Sequence, residues 1–149
     1  VFKSQTGLII ADYEGLNPQF DLDKFTHYES IFAIAEFSKL FRRLKTNFTV
    51  FMDSEVQDQD YLDTEICIAG GLVNKRTKLH INKLLPNIMD DKNNRTVNKG
   101  ESFIIKLTKT INQRKTKTIF LLYGEGSKDT ISSIGYFVKN FDDLTSGEE

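Results

Sequence analysis

Thr118-Ile119-Phe120-Leu121-Leu122-Tyr123-Gly124-Glu125-Gly126-Ser127-Lys128-Asp129-Thr130 runs from an unbroken apolar segment through a glycine loop into the start of a helical pattern. Continuous rather than alternating hydrophobicity suits a strand covered on both faces, as in a parallel sheet. Three earlier runs have the same character: Gly7-Leu8-Ile9-Ile10-Ala11, Phe48-Thr49-Val50-Phe51-Met52 and Glu65-Ile66-Cys67-Ile68-Ala69. Each is short, rich in β-branched or aromatic side chains, and closed by Asp or Gly. Helically spaced segments separate them, and the alternation of strand and helix is the mark of an α/β layered fold. The four runs together predict a three-layer α/β domain. Its sheet of about five strands is mostly parallel, with one antiparallel edge strand.

The intervening segments carry the helices. From Thr26, apolar residues at Tyr28, Ile31, Phe32, Ala35, Phe37, Leu40, Phe41 and Leu44 recur at three- and four-residue intervals. Arg42, Arg43 and Lys45 near the end complement the helix dipole. A second helix is expected from about Asn74 to Leu85, stopped by Pro86. A third begins near Asp129 or Thr130, with Ile131, Ile134, Val138 and Phe141 on one face. Residues 86–100 are polar and turn-rich and read as a long loop within one domain spanning 1–149. Ser102 to Ile111 alternates and reads as the first strand of a hairpin at or near a sheet edge, with a helix as the weaker option. Lys106, Lys109, Lys115 and Lys117 would guard that edge against other chains. The tail from Thr145 is expected to be loose.

Composition narrows the function classes. Twenty basic and 21 acidic residues leave a net charge of −1, which argues against duplex nucleic acid as the main partner. The single cysteine excludes an internal disulfide framework and a cysteine-built zinc site. No apolar run approaches the roughly 18 residues of a membrane span, and no signal-peptide pattern opens the chain. A cytoplasmic protein without cofactor is the expectation. Val1 fits a processed chain or a piece of a longer protein, and the pattern is compatible with a homo-oligomer or flanking domains.

In an open α/β sheet, ligands bind beyond the carboxyl ends of the strands. The residues following each run are therefore the candidates: Asp12 after the first, Asp53 after the second, Gly70, Gly71 and Asn74 after the third, and Gly124, Glu125, Gly126 and Thr130 after the fourth. Two of these exits are glycine loops entering a helix. Such loops let a phosphate or ribose approach the backbone, and the helix start offers free N–H groups. Each also reads as an ordinary turn, and Gly124-x-Gly126 is only part of a dinucleotide fingerprint. Glu29, in the first turn of the first helix, is either the far half of a capping box with Thr26 or a carboxylate aimed into the cleft. Asp53 binds ribose or caps the following turn. His27 could join the rim, His80 reads as a helix-surface residue, and Cys67 as a small buried hydrophobe. No Gly-x-x-x-x-Gly-Lys-Ser/Thr loop is present.

Asp12 and Asp53 resemble the acidic pocket of phospho-accepting receiver domains, but Gly70 and Gly124 stand where that family needs a hydroxyl and a lysine. A better resemblance is to Rossmann-like nucleotide-recognising families: the nucleoside 2-deoxyribosyltransferases, Toll/interleukin-1-receptor-like domains and LOG/Smf-type domains. It rests on the helix bearing Glu29, the Ala69-Gly70-Gly71…Asn74 exit, and the Gly124…Gly126…Thr130 loop. The resemblance implies recognition of a nucleoside, an NAD-like dinucleotide or a cyclic nucleotide signal, sometimes with cleavage of the N-glycosidic bond, and a sensor or effector role in prokaryotic defence. Carried over, Glu29 is the candidate glycosidic carboxylate, and Gly71, Asn74, Gly126 and Thr130 the ligand contacts. Three functions follow as expectations: a nucleotide-sensing module, an N-glycosidase or transferase using Glu29, and a protein-interaction domain whose glycine loops are only turns.

Overall fold

The computed structural model describes residues 6–11, 28–55, 62–69, 74–84 and 101–145. Among these residues, five strands form one sheet: β1 (Thr6–Ile10), β2 (Thr49–Met52), β3 (Thr64–Ile68), β4 (Ser102–Asn112) and β5 (Lys115–Gly124). Their order is β2-β1-β3-β5-β4. The first three pairings are parallel and only β4 runs antiparallel, against β5. The α/β layered, Rossmann-like architecture expected from the four apolar runs is present.

Among the described residues, four helices flank the sheet: α1 (Tyr28–Arg43), α2 (Lys75–Leu84), α3 (Ser127–Lys139) and α4 (Phe141–Thr145). From β1 the chain winds outward to β2, then returns to β3 and winds the other way toward β5. With right-handed crossovers, that reversal sends α1 and α2 to opposite faces. On one face Leu8, Ile10, Ile66, Ile68, Phe120 and Leu122 of the sheet meet α1, α3 and α4. Phe137 is the hub there, with Phe37, Phe120 and Phe141 at ring-centroid distances of 5.8, 5.0 and 5.8 Å. On the other face Ile9, Cys67, Ile119, Leu121 and Tyr123 pack with Leu62 and with Ile81 of α2.

The structure departs from the sequence pattern in instructive ways. α3 begins at Ser127, directly after the glycine loop, and breaks at Asn140, so Phe141 opens the separate turn α4. β2 is an outer strand with Thr49 and Val50 exposed, not a strand covered on both faces. Its apolar run instead serves the two faces unequally. β5 begins at Lys115, and because it is an interior strand Lys117 is fully buried rather than guarding an edge. α1 closes in a Schellman turn: Thr46 N–H donates to Phe41 C=O (3.0 Å) and Lys45 N–H to Arg42 C=O (3.2 Å), with Lys45 at φ 54°.

Candidate functional site

The point at which strand order reverses lies between the carboxyl ends of β1 and β3. Asn74 fills it. Its Nδ2 donates to Ile9 C=O (3.2 Å) and Ile68 C=O (2.7 Å), bridging the two strand ends. Its Oδ1 accepts from the N–H groups of Arg76 (2.9 Å) and Thr77 (3.1 Å), which caps α2. Asp53, arriving from β2, accepts from Lys75 N–H at 2.7 Å. The first three N–H groups of α2 are thus held by side chains of the protein itself. Thr77 Oγ1 donates to Ala69 C=O (2.8 Å), and Ala69 stands at φ 86°.

The exit of β5 is built differently. A Cβ on Gly124 would lie 2.2 Å from Asp129 Cβ and 2.9 Å from Glu101 O, so glycine is what lets α3 fold back onto its strand. Gly124 N–H donates to Thr130 Oγ1 (3.1 Å), and exposed Glu125 N–H donates to Glu101 C=O (3.1 Å). Gly126 is the N-cap residue of α3, with extended backbone and no side-chain cap. A Cβ there would meet nothing within 4 Å. Neither backbone conformation nor packing requires glycine at 126.

Glu29 and Ser30 lie in the first turn of α1, at 3% and 2% exposure, on the inward side with Ala33 and Phe37. Ser30 Oγ is buried with no hydrogen-bond partner among the described residues. α1 and α3 both follow parallel strands of one sheet and therefore run in the same direction. Phe37 and Phe137 touch, and each lies seven residues beyond Ser30 and Thr130 respectively. The first turns of the two helices accordingly sit at one level over the carboxyl rim. Asp12, Gly70, Gly71, Thr26 and His27 lie outside the described residues.

No protein-family model and no curated protein matches this chain. The site is therefore read from its own geometry.

A second cluster of polar groups lies between α2 and the sheet. Glu65 of β3 is fully buried. Arg76 grips both of its oxygens, Nε to Oε1 and Nη2 to Oε2, each at 2.7 Å. His80 Nε2 lies 3.0 Å from Oε1, and Lys117 Nζ pairs with Oε2. An ionised carboxylate can only accept, so Nε2 carries the hydrogen. Burial alone would raise the Glu65 pKa. The bonds from Arg76 and His80 and the positive charge of Lys117 outweigh it and hold the carboxyl far below the usual range. Burial, and then the charge of Glu65, push the Cys67 thiol up. Ligand atoms of Glu65, Cys67 and His80 lie within 4.8 Å of one another. A metal ion would nonetheless have to displace two cations already on the carboxylate, so the arrangement works as an ionic clasp between β3, β5 and α2. His80 is not the helix-surface residue its sequence context suggests. The usable signal was Glu65 itself, a carboxylate inside an apolar run, which requires buried partners.

No described helix is long and apolar enough to cross a membrane.

Proposed function

We propose that this protein is a binding or sensor domain for a nucleotide or nucleotide-derived ligand, held at the carboxyl rim where α1 and α3 begin. The observation that carries the reading is Ser30: a hydroxyl 2% exposed, without a hydrogen-bond partner among the described residues, beside the buried carboxylate of Glu29. Buried polar atoms are almost always bonded, so an orphaned one calls for a group to complete it. Sugar hydroxyls have that chemistry, donating to a carboxylate and exchanging bonds with a serine. The uncapped start of α3, with open space over Gly126, offers backbone N–H groups to a phosphate on the same ligand. The likeness of layout to Rossmann-like nucleotide-recognising families supports the same class.

A second reading uses the same carboxylate catalytically. Glu29 would support cleavage or transfer at the N-glycosidic bond of NAD or a nucleoside, since a carboxylate shielded from water stabilises developing positive charge more strongly than an exposed one.

A thermal-shift panel of NAD, ADP-ribose, nucleosides, nucleoside mono- and triphosphates and cyclic oligonucleotides tests the first reading. Ligand at about 100 times its Kd adds about 2.7 kcal/mol, a shift of several degrees for a chain of this size. Glu29→Gln should abolish or sharply weaken that shift. Silence across the panel overturns the proposal. Chromatographic detection of free base from the active compound, lost in Glu29→Gln, establishes the enzymatic reading; binding without turnover leaves the sensor.

A further inference from the structure

We infer that the ligand is a dinucleotide, two nucleosides joined through phosphate, whose second nucleoside lies in the groove between β4 and α3. This ligand class rests on the nucleotide reading of the rim and narrows it. The groove has a volume of about 510 Å³, within the range of about 300–1,000 Å³ that small-molecule sites occupy. Ser102 and Ile104 of β4 line it on one side and Ser132, Ser133 and Tyr136 of α3 on the other, with Leu144 of α4.

Position is the first argument. β5 lies between β3 and β4, so the helix that follows it has α1 toward β1 and the groove toward β4. α1 touches α3 through Phe37 and Phe137, and Ile104 and Leu144 pack against the same core, so all of these parts share one face of the sheet. Ser102 pairs with Gly124, and Glu125 N–H donates to Glu101 C=O, which puts the head of the groove at the level of the glycine loop. Ser132 stands five residues along α3 from Ser127, about 7.5 Å down the helix axis. The Ser30 hydroxyl and the groove thus lie on opposite sides of the uncapped start of α3. A mononucleotide with its sugar at Ser30 ends at the phosphate over Gly126. A ligand that continues beyond that phosphate enters the groove.

Chemistry is the second. No residue lining the groove is Asp, Glu, Lys or Arg, so a further phosphate would find no counter-ion there, whereas an uncharged base is accommodated. Tyr136, 58% exposed, sets a large aromatic ring beside the apolar side chains of Ile104 and Leu144, a surface on which a planar base can stack. Ser132 Oγ donates to Lys128 C=O (3.2 Å) and Ser133 Oγ to Thr130 C=O (2.7 Å). Both hydroxyls have committed their hydrogens to their own helix and keep oxygen lone pairs for donors brought by the ligand. The exocyclic amine of a base is such a donor. An aliphatic ligand would leave those oxygens without one.

The test compares four probes by calorimetric titration of the full chain: AMP, diadenosine diphosphate, NAD and cyclic di-AMP. At least one of the three dinucleotides should bind about tenfold or more tightly than AMP, because its second nucleoside adds a stacked base at high effective concentration. In ¹⁵N-labelled protein that compound should shift the amides of residues 102–104 and 132–136, which AMP leaves in place. Tyr136→Ala removes the stacking ring, and Ser132→Phe fills the groove from an exposed position of α3. Each should bring the ratio of the two affinities to about one, with the urea midpoint showing that the fold is intact. If AMP binds as tightly as every dinucleotide, or if both variants leave the ratio unchanged, the dinucleotide class is overturned and the nucleotide reading of the rim stands. Absence of binding by all four probes overturns both.

Discussion

Lys45 and Ala69 both hold the left-handed backbone conformation that favours glycine, at φ 54° and 86°. For an L-residue this costs about 1–2 kcal/mol, partly offset by the extra freedom glycine has when unfolded. Replacing either with glycine should raise stability by about 0.5–1 kcal/mol, measured as the urea midpoint at unchanged slope. The two differ in meaning. Lys45 is exposed and ends a helix, whereas Ala69 is buried at the switch point and fastened on both sides, its N–H to Leu122 C=O and its C=O to Thr77. The glycines make the reverse comparison. Gly124→Ala must displace the backbone of Asp129 and should lower stability by about 1–3 kcal/mol, while Gly126→Ala opens onto free space and should leave the same midpoint nearly unchanged. A substantial loss at 126 would show that the space there is needed by the fold itself.

At the scale of the element, α2 is held by polar rather than apolar contacts. Ile81 is its one fully buried apolar side chain among the described residues, beside buried Arg76, Thr77 and His80. Asn74 and Asp53 fix its start, and the Glu65 clasp fixes its inner face. Removing the carboxylate leaves Arg76 and Lys117 buried against each other, so Glu65→Gln should cost about 3–5 kcal/mol. The folded pKa of Glu65 lies below its unfolded value of about 4.3, so its stabilisation is complete above that pH and is lost as pH falls toward the folded value. Urea midpoints measured from pH 7 down to pH 3 should therefore fall below about pH 4 in the native chain, and this component should vanish in Glu65→Gln. A profile identical in the two proteins would mean that the clasp is not the coupled group. The sequence announced α2 by its spacing and its proline stop, but not its clasp. Arg76 and His80 are one turn apart and Lys117 lies 41 residues beyond Arg76, and it is the pairing of β3 with β5 that brings Lys117 to Glu65.

For the molecule as a whole, the apolar runs were sufficient to foretell the layers because burial on both faces leaves a composition that local spacing can detect. Strand order is a different kind of fact. Nothing in residues 48–52 distinguishes an outer from an inner strand, and among the described strands β2 pairs with β1 alone. The rim was legible in the same partial way. Loop acids and glycines marked every strand exit, yet which of them cap a helix and which stay open depends on contacts such as those of Asn74 with Ile9 and Ile68, up to 65 residues apart in sequence. This topology also dictates how stability is distributed. β3 lies between β1 and β5 with all five residues buried, whereas β2 has four residues and one neighbour. In native-state hydrogen exchange the hydrogen-bonded amides of β3 should open only with global unfolding, at about 5–15 kcal/mol, and those of β2 several kcal/mol below that. The far end of β4, residues 109–112, lies beyond the start of β3, whose described pairing with β5 covers residues 118–122, and should exchange with β2 rather than with the centre. Protection of β2 equal to that of β3 would mean that the outer strand is secured by residues beyond those described, and would locate a further layer of the fold over that edge.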